Sequence, residues 1–531
     1  MNQALAVMHG SAVRAAVAVC AMVLMAGPGI VAAQDKILNF VNSLGRTLDP
    51  HVAQALAGSF IQLNAYDNLY RYQGNPPKME PWLARSHTVS ADGLTWEISL
   101  RENVKFHDGS DLTAEDVVYS FRRALALKQA VASVFQLVLK PENVTAPARF
   151  KVSFVLNKPY APFFSALPLI SVVNPRLIKQ HEEKGDWGKK WLATNEAGSG
   201  AYKIVPGSFV SQSALELAYF PDHFKGWQPN SAKRVKVTYT EEKTTQVMAL
   251  MKGSADSSDP RLPPDTTERL EKSGKVTVHR DSTMRLFLFT MNNQKPPLNN
   301  VHVRRAISYA FNYGGFIGQI MHNVPKRNPV PLPLGMWGYP QDVKGYSYDL
   351  AKAKAELELA KKDGVDLSRE LSFMAITAAD ETVQAGQLLQ SDLRKLGIKL
   401  KIGSAPFYNL VGLTKTKEAT PDIWAHWVST YFVDPENWVG QMYHSSYHGT
   451  WKGSAWYRNP EVETLLESAR TITDQSRRDV LYKNAIRKIV DDAAAVWIYD
   501  AVQLRATSNR ITGYRFSPVG SGGELRSIGF K

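Results

Sequence analysis

Cysteine is almost absent from the 531 residues, and the single one, Cys20, lies near the start. There Arg14 precedes an apolar run over residues 15–26, a Gly-Pro-Gly break follows, and Val31-Ala32-Ala33 ends in the small residues signal peptidase prefers. Residues 1–33 therefore read as a cleaved export signal, with Val19 standing where a lipoprotein signal would carry Gly or Ala. The exported chain then has no cysteine, which excludes disulfides, thiolate zinc sites and cysteine nucleophiles together. Long apolar runs are also lacking. The bilayer core asks for about 20 consecutive apolar residues, and no later stretch approaches that. The motifs HExxH and GxSxG do not occur, and no internal repeat is visible. Lys and Arg outnumber Asp and Glu by 63 to 49, yet the excess is spread along the chain and forms no basic block of 5–8 residues. Nucleic acid is accordingly not expected as a partner.

What is present is ordinary globular composition, 44% hydrophobic and 21% charged, at a length that exceeds one hydrophobic core. Two or more lobes are expected. After the turn Asp92-Gly93, Leu94, Trp96, Ile98 and Leu100 alternate with polar residues as in a half-buried strand. Val104 and Phe106 continue into the turn His107-Asp108-Gly109. Thr113 then fits an N-cap with Asp116 at N3, and Val117, Phe121 and Ala124 mark a buried helix face. Here His107, Asp108, Asp111, Glu115 and Asp116 raise the question of a metal or acid–base site. His107 and Asp108 are adjacent, so they lack the i, i+4 spacing that sets two ligands on one helix face. The carboxylates at 115 and 116 suit the first helical turn, where the macrodipole favours them. The run reads as scaffold.

Strand-like alternation recurs at Leu215, Leu217 and Tyr219, and again at Val235, Val237 and Tyr239. Helical patterns follow at 244–252 with Gly253 as stop, around Val303–Phe311, at 349–362, 382–396, 461–470 and 475–491; strand patterns lie at LFLFTMN, at Ile398–Ile402 and at 496–499. The mixture indicates α/β architecture.

The segment PWLARSHTVSADGLTWEISLRENVKFHDGSDLTAEDVVYSFRR, residues 81–123, resembles the signature of a family: the solute-binding proteins of bacterial ABC importers, dipeptide/oligopeptide/nickel class (family 5). GSGAYKIV at 198–205, TTQVMALMKGSAD at 244–256, MNNQKPPLNNVHVRRAISYAFN at 291–312 and LLQSDLRKLGIKLKI at 388–402 agree in the family's order. The resemblance implies an α/β, two-lobed clamshell of the type II periplasmic-binding-protein fold with an extra inserted subdomain. It implies lobe I from 34–75, 198–283 and 501–531, the insert at 76–197 and lobe II at 284–500. It implies a periplasmic, monomeric, non-enzymatic protein that captures a peptide or other small solute and docks on an inner-membrane permease, with no cofactor and no metal.

The segment at 423–451, IWAHWVSTYFVDPENWVGQMYHSSYHGTW, is the richest in recognition residues, since aromatic faces enclose a ligand while staying rigid. Trp424, Trp427 and Tyr431 are expected contacts, with Trp427 also open to a core role. In peptide-binding relatives an aspartate three positions after the Trp clamps the peptide amine; here that position is Thr430, and the spacing to Pro435 is one residue longer. Asp434 is the nearest acid, either for the ligand or as N-cap of a helix begun by Pro435-Glu436. His426, His444 and His448 invite a metal reading, but Ser445-Ser446 and Gly449 suggest a loop at the only i, i+4 pair. Arg46, in the loop at 43–50, suits a ligand carboxylate through its fork or stands as a solvated charge. The competing readings are the same fold binding a non-peptide solute (an opine, a sugar derivative or a metal complex), an exported hydrolase, and a receptor that uses the clamshell to signal.

Overall fold

The computed structural model describes residues 36–53, 56–129, 132, 134–377, 379–519 and 523–531; the export signal and Cys20 lie outside them. Three larger sheets organise the chain, each with its own core. The first has the order Ile37–Val41, Arg234–Thr238, Ala214–Tyr219, Tyr202–Ile204, parallel across its first pair and antiparallel thereafter. Leu38, Phe40, Leu215, Leu217, Val235 and Val237 alternate inward, as period-2 strands require. Phe60 and Ile61 of the helix Leu56–Ala65 cover them, and Leu525 and Ile528 from the C-terminal tail complete the same core. The chain's two ends thus close one lobe.

The inserted subdomain is an antiparallel sheet in the order Ala84–Val89, Thr95–Leu100, Lys151–Val155, Val144–Ala148. Trp96, Ile98 and Leu100 point into its core, against Val117, Phe121 and Ala124 of the helix Ala114–Leu127. That helix starts as its sequence predicts: the carboxylate of Asp116 accepts from both the backbone N–H and the hydroxyl of Thr113, at 2.7 and 3.1 Å. His107 is buried, one ring nitrogen 2.7 Å from Glu196 and the other 2.8 Å from the carbonyl of Gly200. Burial opposes its protonation, but Glu196 and that carbonyl outweigh burial and raise its pKa. The run that opens this subdomain is scaffold.

The other lobe is built on a six-stranded mixed sheet, ordered Lys326–Arg327, Ala495–Ser508, Val276–Met291, Ile423–Val428, Leu371–Ile376, Leu400–Ala405. Helices Val301–Ala310, Leu350–Lys362 and Asp380–Arg394 pack on one face; Pro460–Thr471 and Gln475–Asp491 pack on the other. Covered on both sides, residues 286–291 and the strand Ile423–Val428 are buried almost throughout, which is why LFLFTMN reads as an apolar run.

Two strands run much further than their apolar segments predict. Val276–Met291 has 16 residues and Ala495–Ser508 has 14, against the short strands expected at LFLFTMN and 496–499. They pair from Val276↔Ser508 to Ser282↔Val502, lose register over 283–285, and resume at Leu286↔Asp500. Met284 in this bulge has φ 49°. On one side of it the pair borders the first lobe, where Leu504 and Ala506 pack with Val41; on the other it is the centre of the six-stranded sheet. A bulge at a crossing between two bodies gives a ribbon a place to bend.

Candidate functional site

Strand Ile423–Val428 lies between Val276–Met291 and Leu371–Ile376, and of its six residues only Trp427 is not fully buried. Trp427 is paired with Phe287 in the register, their rings 4.9 Å apart, and Phe287 leans in turn on Tyr499 at 4.8 Å. The guanidinium of Arg285 sits over the Trp427 ring at 4.6 Å. Thr430 pins the neighbouring bulge: its hydroxyl donates to the carbonyls of Thr283 and Met284, at 3.2 and 2.9 Å. It is therefore engaged with backbone. Trp424 is buried, donates from Nε1 to Ser454 Oγ at 3.1 Å and stacks on His426 at 4.0 Å, so it packs as core beside the site.

From Thr430 the chain leaves the sheet and meets the inserted subdomain. Phe432 is buried in that subdomain's core, and the N–H of Val433 donates to the Tyr72 hydroxyl at 3.2 Å. Tyr431, half-buried between them, has Lys452 Nζ 5.0 Å from its ring, and burial pushes its phenol up to about 12. Lys452 donates to Asn437 and Gln441, neutral acceptors all, and burial brings its pKa down to about 7 against the pull of Glu436. Asp434 caps a 3-10 turn, Pro435–Asn437, accepting from Glu436 N–H, so the N-cap reading holds for a shorter helix than expected. Its two oxygens also take Nη1 and Nη2 of Arg478 at 2.8 and 2.9 Å. A buried carboxylate so paired is not open to a ligand ammonium.

The histidines are individually satisfied. His426 meets Thr290 Oγ1 at 2.7 Å and burial lowers its pKa to about 3; His444 meets Glu467 and Ser446, and His448 the carbonyl of Tyr457. No group of three metal-ligating side chains occurs among the described residues.

Arg46 reaches from the first lobe to the second. It is exposed, its Nε donates to Gln212 at 3.3 Å, and its guanidinium lies 4.6 Å from the Tyr408 ring centroid. Further along the same seam, Asp259 is buried and holds Arg261 and Lys243 at 3.1 and 3.2 Å; those cations keep its carboxyl ionised against the cost of burial. Arg261 also donates to the Tyr239 hydroxyl at 3.0 Å. The charge of Arg261 acts on Arg285 across the seam, and Glu381 acts on both. Arg285, Glu381, Arg261 and Tyr408 had no signal in the sequence beyond being charged or aromatic, because the four segments that carry them meet only in space.

Trp427 with Arg285 over its ring, and charges brought together from two lobes, make this the candidate site for a bound solute. The family described as "Bacterial extracellular solute-binding proteins, family 5 Middle" matches residues 78–450. The chain belongs to this family. It is 32% identical over 481 residues to the probable D,D-dipeptide-binding periplasmic protein of Escherichia coli (strain K12), covering 89% of this chain and 90% of that one. Its fold is similar to that of the periplasmic binding protein DppA from Helicobacter pylori in complex with the peptide STSA: TM-score 0.83, 24% identity, 93% of this chain and 98% of that one. It is similar also to NikZ from Campylobacter jejuni in complex with Ni(L-His), with TM-score 0.80, 19% identity and coverage of 93% and 99%. This solute-binding protein therefore has the two-lobed clamshell fold with mixed α/β lobes.

Proposed function

We propose that the protein is the exported, periplasmic binding component of an ABC importer and holds a small peptide-like solute between its lobes for delivery to a membrane permease. The first 33 residues serve as the cleaved export signal, and the protein acts as a monomer without catalysing a reaction. Support for a peptide comes from the names of its relatives, several of which are dipeptide-, tripeptide- or glutathione-binding proteins. The observation that carries the reading is Glu381. This half-buried carboxylate stands in the first turn of Asp380–Arg394, has no hydrogen bond or ion pair among the described residues, and lies within electrostatic reach of both lobes. It supplies the acid that Thr430 and Asp434 do not, and an ammonium is the partner it lacks. The solute then lies along Trp427 with its amine at Glu381.

The test is a calorimetric titration with L-alanyl-L-alanine and D-alanyl-D-alanine, each with a free or an N-acetylated amine. The free dipeptides bind and are recovered unchanged; Glu381→Gln weakens them by about 10-fold or more, the worth of one charge-assisted hydrogen bond. Binding indifferent to acetylation rejects Glu381 as the amine partner, and cleavage of the dipeptides rejects the non-enzymatic reading.

A further inference from the structure

Among the described residues, the guanidinium of Arg285 has no hydrogen-bonded or ion-paired partner, unlike its neighbours. Arg261 is held by Asp259 and Tyr239, Arg505 by the carbonyl of Val41 and the side chain of Asn42, Arg478 by Asp434, and Arg470 by Glu436. The guanidinium of Arg285 makes no hydrogen bond and no ion pair among the described residues, and its Nε is shut off from solvent without an acceptor. Its backbone is nonetheless fixed: the N–H of Arg285 donates to Thr283 Oγ1 at 3.2 Å, while Thr430 holds the carbonyls of the two preceding residues. Trp427 supports the flat face of the side chain and leaves its N–H edges free. Burial, with Arg261 adding to it, brings the group down to about 10, so it remains a cation at neutral pH. Asp281, whose Oδ2 is also buried without an acceptor's partner, is influenced by Arg505 and not by Arg285.

An Nε–H kept from water without an acceptor is costly unless something arrives to complete it. A planar fork held over an indole matches a carboxylate through two parallel hydrogen bonds. We propose that Arg285 reads a carboxylate of the bound solute and sets the specificity of the cleft for free acids over their amides. The proposal rests on the binding reading above and adds the second pole to it: the solute's amine at Glu381, its carboxylate at Arg285, and its apolar body on Trp427. Because Arg285 sits at the bulge where the lobes join, the anion it takes up neutralises a charge felt from both sides.

The experiment uses the full-length chain expressed for export, as wild type, Arg285→Gln and Arg285→Lys. Each is titrated with D-alanyl-D-alanine and L-alanyl-L-alanine, their C-terminal amides, and N-acetyl-alanyl-alanine. The wild type prefers acid to amide by about 10- to 100-fold, the range of a paired charged hydrogen bond. Arg285→Gln brings that ratio near one by losing the acid, and Arg285→Lys restores part of it. Without ligand, Arg285→Gln melts at or above the wild-type temperature, since the lost contact with the Trp427 ring is offset by removing an Nε–H that is buried without an acceptor; a lower Tm shows a structural role and overturns the proposal. Equal binding of acid and amide by the wild type also overturns it while leaving the peptide reading intact. Binding of the N-acetylated acid alone, lost in Arg285→Gln, upholds Arg285 and rejects the free amine at Glu381. If no compound binds, the peptide reading and this assignment fall together.

Discussion

Asp434 lies seven residues beyond Trp427, and its chemistry is settled by a residue 44 positions further on. Arg478 completes both oxygens, and each partner is buried. Removing one of them leaves an uncompensated charge in the interior, so Asp434→Ala costs about 3–5 kcal/mol in urea unfolding, while the affinity of the folded fraction for ligand stays within about two-fold. A ligand-specific loss at unchanged stability would return Asp434 to the cleft. Sequence alone left the cap and ligand roles open here, because local spacing shows the turn and hides the distant arginine. The same blindness conceals Glu381 and Arg285, ordinary charges until the fold withholds their partners. Trp427, by contrast, stood out as one of the aromatics of the segment at 423–451, with ligand contact and core packing both open. Asp500 shows how burial sets a pH response. It accepts from Asn328 Nδ2 and Leu334 N–H, at 2.7 and 2.6 Å, yet burial outweighs these bonds and raises its carboxyl to about 6. A raised carboxylate favours its neutral form in the fold, so its contribution is fully present below about pH 4 and lost as pH rises through about 6. Relative to Asp500→Asn, the wild type therefore loses about 3 kcal/mol between pH 4 and pH 7; a flat difference across that range would show the carboxyl is not perturbed.

Elements whose signals are local were legible. The helix Ala114–Leu127 announced itself through Thr113 and Asp116, the helix Lys243–Lys252 through Gly253, and the strand Thr95–Leu100 through strict alternation. The long strands were not: Val276–Arg285 of the first has no continuous buried face, and the second buries Gln503, Arg505 and Thr507 among Leu504 and Ala506, so neither outer half reads as apolar. A ribbon shared by two bodies has no single apolar side, so period-2 patterning fades where it crosses. The crossing itself depends on Met284 in the left-handed region, φ 49°, which a side chain without β-branching tolerates at a cost of order 1 kcal/mol. Met284→Ile lowers stability by about 2 kcal/mol and Met284→Gly changes it little, the relief of strain offsetting the added freedom of the unfolded chain. Equal Tm values for the two variants would show that the bulge adopts another conformation in solution.

For the whole molecule, the resemblance over residues 81–123 was enough to anticipate a clamshell, whereas how the lobes meet required the fold. They touch where Phe432 enters the inserted subdomain's core, where Ala161 N–H donates to the carbonyl of Arg470 at 2.7 Å, and where Arg46 covers Tyr408. Phe432 and Arg470 are buried at the first two contacts, whereas Arg46 at the third is exposed. An exposed cation–π contact is worth about 0.5–1 kcal/mol, equivalent to a two- to five-fold bias toward the shut arrangement. A ligand gripped by both lobes binds that arrangement, so its apparent affinity scales with the shut fraction. Arg46→Ala thus enlarges the radius of gyration of the ligand-free protein in solution scattering when the shut and open states are comparably populated. It weakens D-alanyl-D-alanine by no more than that same two- to five-fold factor. Saturating ligand returns the variant to the wild-type radius, because contacts at Arg285 and Glu381 from within the cleft replace the lost latch. A loss of affinity well beyond five-fold, with the radius unchanged, would instead make Arg46 a direct contact of the solute.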